Sequence, residues 1–134
     1  MLLDTDVLID LALDRHPHAE ATAELLDRIE HSTLTAFIAW HTVSNFYYLV
    51  SPSRGRTDTR DFIVELTRFV SVVSTGTEAL HYAAALPMGD FEDAMQVAAA
   101  RACGARYIVT RNVKDYHRSP VPAVRPQHAL KELS

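Results

Sequence analysis

Five short apolar runs, each followed by residues with helical spacing or by a helical turn, constrain this chain more than any other feature. The runs are residues 1–4, "TLTAFIA" (33–39), "SVVS" (71–74), "RYIVT" (106–110) and a short edge segment, Ala123–Arg125. Between them, "VLIDLAL" reads as a helix capped by Asp4 or Asp6 and ended near Pro17, and "HAEATAELLDRIE" carries Leu25, Leu26 and Ile29 at helical spacing. In "WHTVSNFYYLV", Val43, Phe46, Tyr47 and Val50 fit the i, i+3, i+4, i+7 template of a buried helix face. "SPSRGRTD" reads as a loop on its Pro and Gly, with helices over "TRDFIVELTRFV" and, up to Pro87, "GTEALHYAAAL". "DFEDAMQVAAARACG" is the clearest helix, with Phe91, Ala94, Met95, Ala98 and Ala102 on one stripe and Gly104 as its stop. Short apolar strands alternating with helices require a sheet covered on both faces. The expected fold is therefore α/β, a three-layer α/β/α sandwich around a short, mostly parallel central sheet.

At 134 residues the chain is expected to form one domain, residues 1–134, around a single core. With 48% hydrophobic and 22% charged residues it has ordinary globular composition, and no run approaches the roughly 20 apolar residues of a membrane helix. No export signal is visible at the first residues, so the expected location is the cytoplasm. Cys103 lies in an alanine-rich helical pattern and reads as a small buried thiol. The net charge of −4 argues against a sequence-independent nucleic-acid coat, though not against an enzyme whose acids hold a cation facing phosphate. Seven histidines show no zinc-site spacing, four glycines form no phosphate loop, and Ser44 lacks the glycines of a hydrolase elbow.

In folds of this class, functional groups collect beyond the carboxyl ends of the strands. Asp4 and Asp6 follow the first run, Asn112 and Asp115 follow "RYIVT", and Asp90 and Asp93 open the alanine-rich helix away from its apolar stripe. Each pair also has a local use. Asp90 and Asp93 occupy the N-cap and N3 positions, worth about 0.5–2 kcal/mol, and "TRNVKDY" has turn composition. Three separate caps have no reason to gather at one sheet edge, whereas a hard divalent cation such as Mg2+ or Mn2+ needs such an oxygen-rich gathering.

Taken together, "LLDTDVLIDL", "FIAWHTVSNFYYLV" and "DFEDAMQVAAARACGARYIVTRNVKDY" resemble the PIN-domain family of metal-dependent ribonucleases, many of them VapC-like toxins of toxin-antitoxin pairs. The resemblance spans nearly the whole chain. It implies that Asp4, Asp93 and Asp115 are the catalytic, metal-ligating acids for Mg2+ or Mn2+. Asp6 and Asp90 would be auxiliary acids, Asn112 would take a position where an acid or Asn is common, and Thr110 would support it. The family's usual glutamate falls on Asn45, a departure that leaves fewer charges to hold metal. Asn45 shares a helical stripe with His41 and Tyr48, away from Val43 and Val50. The implied reaction is hydrolysis of RNA phosphodiester bonds, with RNA rather than DNA resting on the resemblance alone. An antitoxin protein and a second copy of the chain are the implied partners.

Arg54, Arg56 and Arg60 in "SPSRGRTDTR" are candidate RNA-phosphate contacts, against the plainer reading of a solvated loop. Trp40, Phe46, Tyr47 and Tyr48 read as core ahead of a base-stacking platform, and some of them as a dimer face or a groove for an antitoxin helix, as the resemblance implies. Two rival readings remain. "DTDVL" and "GDFEDA" also resemble the acidic motifs of haloacid-dehalogenase-type phosphatases, although there the second motif follows a strand and here a helix is expected. A weakened PIN-like module that only binds RNA or protein is the other, on account of Asn45.

Overall fold

The computed structural model describes residues 1–133. The elements run in the order β1 (Leu2–Leu3), α1 (Thr5–Ala12), α2 (His18–Glu30), β2 (Phe37–Ala39), α3 (Trp40–Arg54), α4 (Arg56–Leu66) and β3 (Ser71–Val73). They continue with α5 (Thr77–Ala85), α6 (Phe91–Cys103), β4 (Ile108–Val109), a 3-10 turn (Val113–Tyr116), β5 (Ala123–Val124) and α7 (Pro126–Glu132). The strands form one sheet in the order β3-β2-β1-β4-β5, and every pairing is parallel. Parallel strands with helical crossovers bury both sheet faces, which explains why the strands are apolar runs rather than alternating ones.

Successive strand residues face opposite layers. Leu3, Ile38 and Val109 join one core with Val7, Leu25, Phe46 and others from the layer containing α1, α2, α3, α4 and α7. Their neighbours Leu2, Ala39 and Ile108 join a second core with Val97, Ala99 and Ala100 of α6, against which α5 packs through Ala83. The result is the expected three-layer sandwich. Among the described residues no helix is long and apolar enough to cross a membrane.

Several local expectations change. Residues 33–36 precede the strand, which begins only at Phe37. The stretch "SPSRGRTD" is helical rather than a loop. Here α3 runs through Pro52 to Arg54, and α4 starts at Arg56 instead of near Thr59. Gly55, at φ +94°, breaks the two helices in one residue, a conformation open to glycine and costly for other side chains. On α6 the buried face is Ala94 and the run Gln96–Ala100, while Phe91 and Ala102 of the expected stripe are exposed. Of the four aromatics expected in the core, only Phe46 is buried, since Trp40 and Tyr48 are 68% and 76% exposed. Cys103 is half-buried at the end of α6.

Phe46 has no exposed surface and stacks on Phe62 of α4, with ring centroids 5.1 Å apart. Phe46→Ala is therefore expected to cost about 3–5 kcal/mol of unfolding free energy, read from urea denaturation. A loss below about 1 kcal/mol would mean that the α3–α4 layer repacks freely.

Candidate functional site

The strand order places the site. From β1 the chain builds outward through β2 and β3, then returns to the other side of β1 with β4. The carboxyl ends of β1 and β4 therefore flank the point where the winding reverses, the crevice in which open parallel sheets bind ligands. Asp4 leaves β1 there as the N-cap of α1, its backbone N–H donating to Val109 O of β4 at 2.9 Å.

Asp4 is only 5% exposed. Its Oδ1 accepts from the Thr5 backbone N–H at 2.7 Å, and its Oδ2 accepts from the Tyr116 hydroxyl at 2.7 Å. That hydroxyl also lies 3.4 Å from Asp93 Oδ1 on α6. Residues 4, 93 and 116, from three separate segments, thus meet through one phenol. Asp115, beside Tyr116 on the 3-10 turn, is exposed and near enough that its charge acts on Asp93. Asp90 caps α6 as its sequence position suggests, accepting from the Asp93 backbone N–H at 3.1 Å.

Asp6 is held by the segment after β4. Its Oδ2 accepts from Thr110 Oγ1 at 3.0 Å, the Arg111 backbone N–H at 3.1 Å and Asn112 Nδ2 at 3.2 Å. Thr110 is fully buried, and its hydroxyl also accepts from the Asn112 backbone N–H at 3.1 Å. The other oxygen of Asp6, Oδ1, is buried without a hydrogen-bond partner. An ionised carboxylate oxygen left bare in a protein interior is costly, and a cation is the partner its chemistry suits.

The electrostatics agree. Burial, then the charges of Asp6 and Glu92, push the Asp4 carboxyl up to about 7 against the opposing Tyr116 hydrogen bond. Burial, followed by Asp90, Glu92 and Asp115, pushes Asp93 up to about 6. Asp6 is also raised, chiefly by burial, and the Tyr116 hydroxyl is raised by burial and by Asp4. These acids repel one another, and Arg111, whose charge favours an ionised Asp6, is itself paired with Asp10. A hard divalent ion held by one or two carboxylates and water would relieve that repulsion, so the residues present fit Mg2+ or Mn2+.

The spacing is loose. Among the described residues, the group of three whose ligand atoms all lie within 4.8 Å of one another is Asp27, Glu30 and His31, exposed at the end of α2. Asp4, Asp93 and Asp115 do not meet that spacing.

Other expected residues fall nearby or elsewhere. Asn45 is half-buried on α3 and makes no hydrogen bond to the acids among the described residues. Arg54 turns back, donating to Ala12 O at 3.1 Å and lying 5.0 Å from the centre of the Phe62 ring. Arg60 pairs loosely with Asp61 at 3.6 Å, and Arg56 is exposed at the first turn of α4.

Sequence reasoning missed a second shell of polar contacts. Gln96 is fully buried, and its amide nitrogen reaches Thr42 Oγ1 at 2.9 Å, Glu92 Oε2 at 3.1 Å and Thr5 Oγ1 at 3.3 Å. His41 Nε2 lies 2.7 Å from the same Glu92 oxygen. Asp10, 1% exposed on α1, has Arg111 Nε 2.9 Å away. One signal was available: a glutamine within an alanine-rich buried run is a buried polar group that must find partners. Tyr116→Phe would strip Asp4 of its hydroxyl donor, and an unfolding titration at pH 8 is expected to show a loss of about 1.5–3 kcal/mol.

No curated protein matches the chain. A solved structure similar in fold is the crystal structure of VapBC2 from Rickettsia felis bound to a DNA fragment from their promoter. It superposes with a TM-score of 0.72 over 92% of this chain and 96% of that one, at 16% identity. Residues 1–114 match the family described as PIN domain. With most of its length inside that match, the chain belongs to the PIN-domain family.

Proposed function

We propose that residues 1–134 form one domain that hydrolyses RNA phosphodiester bonds as an Mg2+- or Mn2+-dependent endoribonuclease, the toxin of a toxin-antitoxin pair. The observation that carries this reading is the convergence of Asp4 and Asp93 on the Tyr116 hydroxyl, beside the unpartnered oxygen of Asp6. Asp4, Asp93 and Asp115 would hold the ion, with Asp6 and Asp90 as auxiliary acids. When bound, the ion would supply a polarised water and offset charge on the scissile phosphate.

The chain's own groups account for the rest. An aspartate of the cluster would take a proton from the attacking water, directly or through a bound water. Tyr116 fixes the Asp4 carboxylate from one side and the Thr5 amide from the other. Thr110 and Asn112 hold Asp6 in register with the end of β4. Arg56 and Arg60 are exposed on α4 and would meet phosphates away from the scissile one, and Arg54 would do so less readily because it is engaged with α1 and Phe62.

The partners follow from the same reading. The similar Rickettsia felis structure is a VapBC2 complex on promoter DNA, which supports an antitoxin here. A cavity of about 480 Å3 between α3 and α4, lined by Trp40, Val43, Tyr47, Ile63 and Val64, is an apolar surface of the kind a partner helix or a second copy would cover. The site of action would be the cytoplasm.

Incubating the protein with structured and unstructured RNAs in Mn2+, in Mg2+ and in chelator tests the activity. Cutting only with metal is the expected result. Cutting that survives chelation would remove the ion from the scheme, and RNA binding without cutting in any condition would favour the weakened binding module. The phosphatase reading lacks its strand, because "GDFEDA" follows α5.

A further inference from the structure

We propose that Glu92 supplies a further carboxylate to the same cation, with His41 and Gln96 as positioning residues that hold it there; the proposal rests on the reading above that this sheet edge binds a divalent ion. No acid occurs anywhere in α3, which presents His41 and Asn45 towards its first turns. The carboxylate that α3 does not offer arrives instead from the first turn of α6, one residue before Asp93.

An ordinary glutamate at the second position of a helix favours the helix dipole and points into water. Glu92 is gripped instead from two elements. Its Oε2 lies 2.7 Å from His41 Nε2 of α3 and 3.1 Å from Gln96 Nε2, one turn further along α6. Its Oε1 has no hydrogen bond among the described residues, and its side chain remains 39% exposed, so that oxygen is available to a ligand.

The grip is itself anchored to the acids. Gln96 has no exposed surface, and the nitrogen that holds Glu92 also reaches Thr5 and Thr42, while the Thr5 backbone N–H holds Asp4. The Thr5 and Thr42 hydroxyls are 3.1 Å apart, which closes the frame. Gln96 Oε1 is left buried and unpartnered, a cost the fold bears while its amide faces Glu92. Glu92 also acts electrically on the cluster, since its charge contributes to the raised carboxyls of both Asp4 and Asp93. Partners that orient a ligand from outside the first coordination sphere typically contribute 10–100-fold in affinity, and the His41–Glu92–Gln96 arrangement has that form.

Calorimetric titration of Mn2+ into the metal-free protein tests this, with RNA cleavage measured alongside. Wild type, Asp4→Asn, Glu92→Gln, His41→Ala and the His41→Ala/Glu92→Gln double variant are compared. Glu92→Gln is expected to weaken Mn2+ by about 100-fold or more, above the range typical of partners outside the first coordination sphere, while its metal-free melting temperature stays close to wild type. His41→Ala is expected to weaken Mn2+ by a smaller factor, and the double variant to be no weaker than Glu92→Gln, because His41 acts through Glu92.

Wild-type affinity and cleavage in Glu92→Gln, with both lost in Asp4→Asn, overturn the role of Glu92 and leave the nuclease reading standing. Multiplying effects in the double variant overturn the positioning role of His41. If Glu92→Gln does not fold, His41→Ala decides, because wild-type affinity there overturns the arrangement. A wild-type protein that binds no Mn2+ sinks this proposal together with the reading beneath it.

Discussion

Asp4→Asn is expected to reduce Mn2+-dependent RNA cleavage by about a hundredfold or more, since even outer partners of metal-bound groups are commonly worth 10–100-fold. The substitution keeps the shape of the side chain; its one oxygen can still accept from the Thr5 amide, while its NH2 must donate to the Tyr116 oxygen, so the loss would report charge together with one reversed hydrogen bond. Metal-free Asp4→Asn should also be at least as stable as wild type above pH 7. In wild type the ionised Asp4 is buried beside Asp6 and Glu92, and a neutral amide removes that repulsion. Gel-based cleavage assays and thermal melts of the same preparation check both halves. A variant that cuts at the wild-type rate would sever Asp4 from the chemistry.

The second large effect is on stability against pH. With Asp4 at about 7 and Asp93 at about 6, both above the usual carboxylate value near 4, the folded chain binds protons more tightly than the unfolded chain. Ionisation therefore costs the folded state. The cost is fully present above about pH 7 and is relieved as pH falls through the two folded values towards the unfolded one. Metal-free protein is expected to melt at a higher temperature at pH 6 than at pH 8, with Asp4 contributing a difference on the order of 1 kcal/mol or more.

Manganese should reverse the trend. Protons compete with the ion for the same carboxylates, so the metal-induced rise is expected to be larger at pH 8 than at pH 6. It should be on the order of 5–10 °C when the ion is at a hundred times its dissociation constant. Differential scanning calorimetry at the two pH values, with and without Mn2+, gives all four melting temperatures. A metal-free protein more stable at pH 8, together with no shift on adding Mn2+, would contradict the acidic-cluster account.

How far the sequence led depends on the kind of signal each residue leaves. The layers were legible because alternating strands and helices leave periodicities of two and 3.6, and Asp4, Asp90 and Asp93 were legible because strand ends and helix starts are positions in the sequence. Residues 51–58 were misread as a loop. A proline near the end of a helix removes only the bond to the exposed Tyr48 carbonyl, and Gly55 at φ +94° restarts the chain as α4 without a loop. Trp40 and Tyr48 fit a core pattern by residue type, yet the α3 face that carries them has no layer packed over it.

Tyr116 was passed over because an aromatic after an acid reads as packing. Its value lies in a hydroxyl that meets residues 112 and 23 positions away, and no local pattern encodes such a meeting. Glu92 and His41, 51 positions apart, were hidden for the same reason.

The central place of β1 in the sheet sets a condition on biosynthesis. Leu2 and Leu3 cannot complete their pairing until Ile108 and Val109, each 106 positions further along, have left the ribosomal tunnel, and Tyr116 follows later still. Pairings so distant along the chain form late and slowly. A nascent polypeptide therefore holds Asp4 apart from Asp93 and Tyr116 until those segments emerge, so the acidic cluster is among the last features of the fold to assemble.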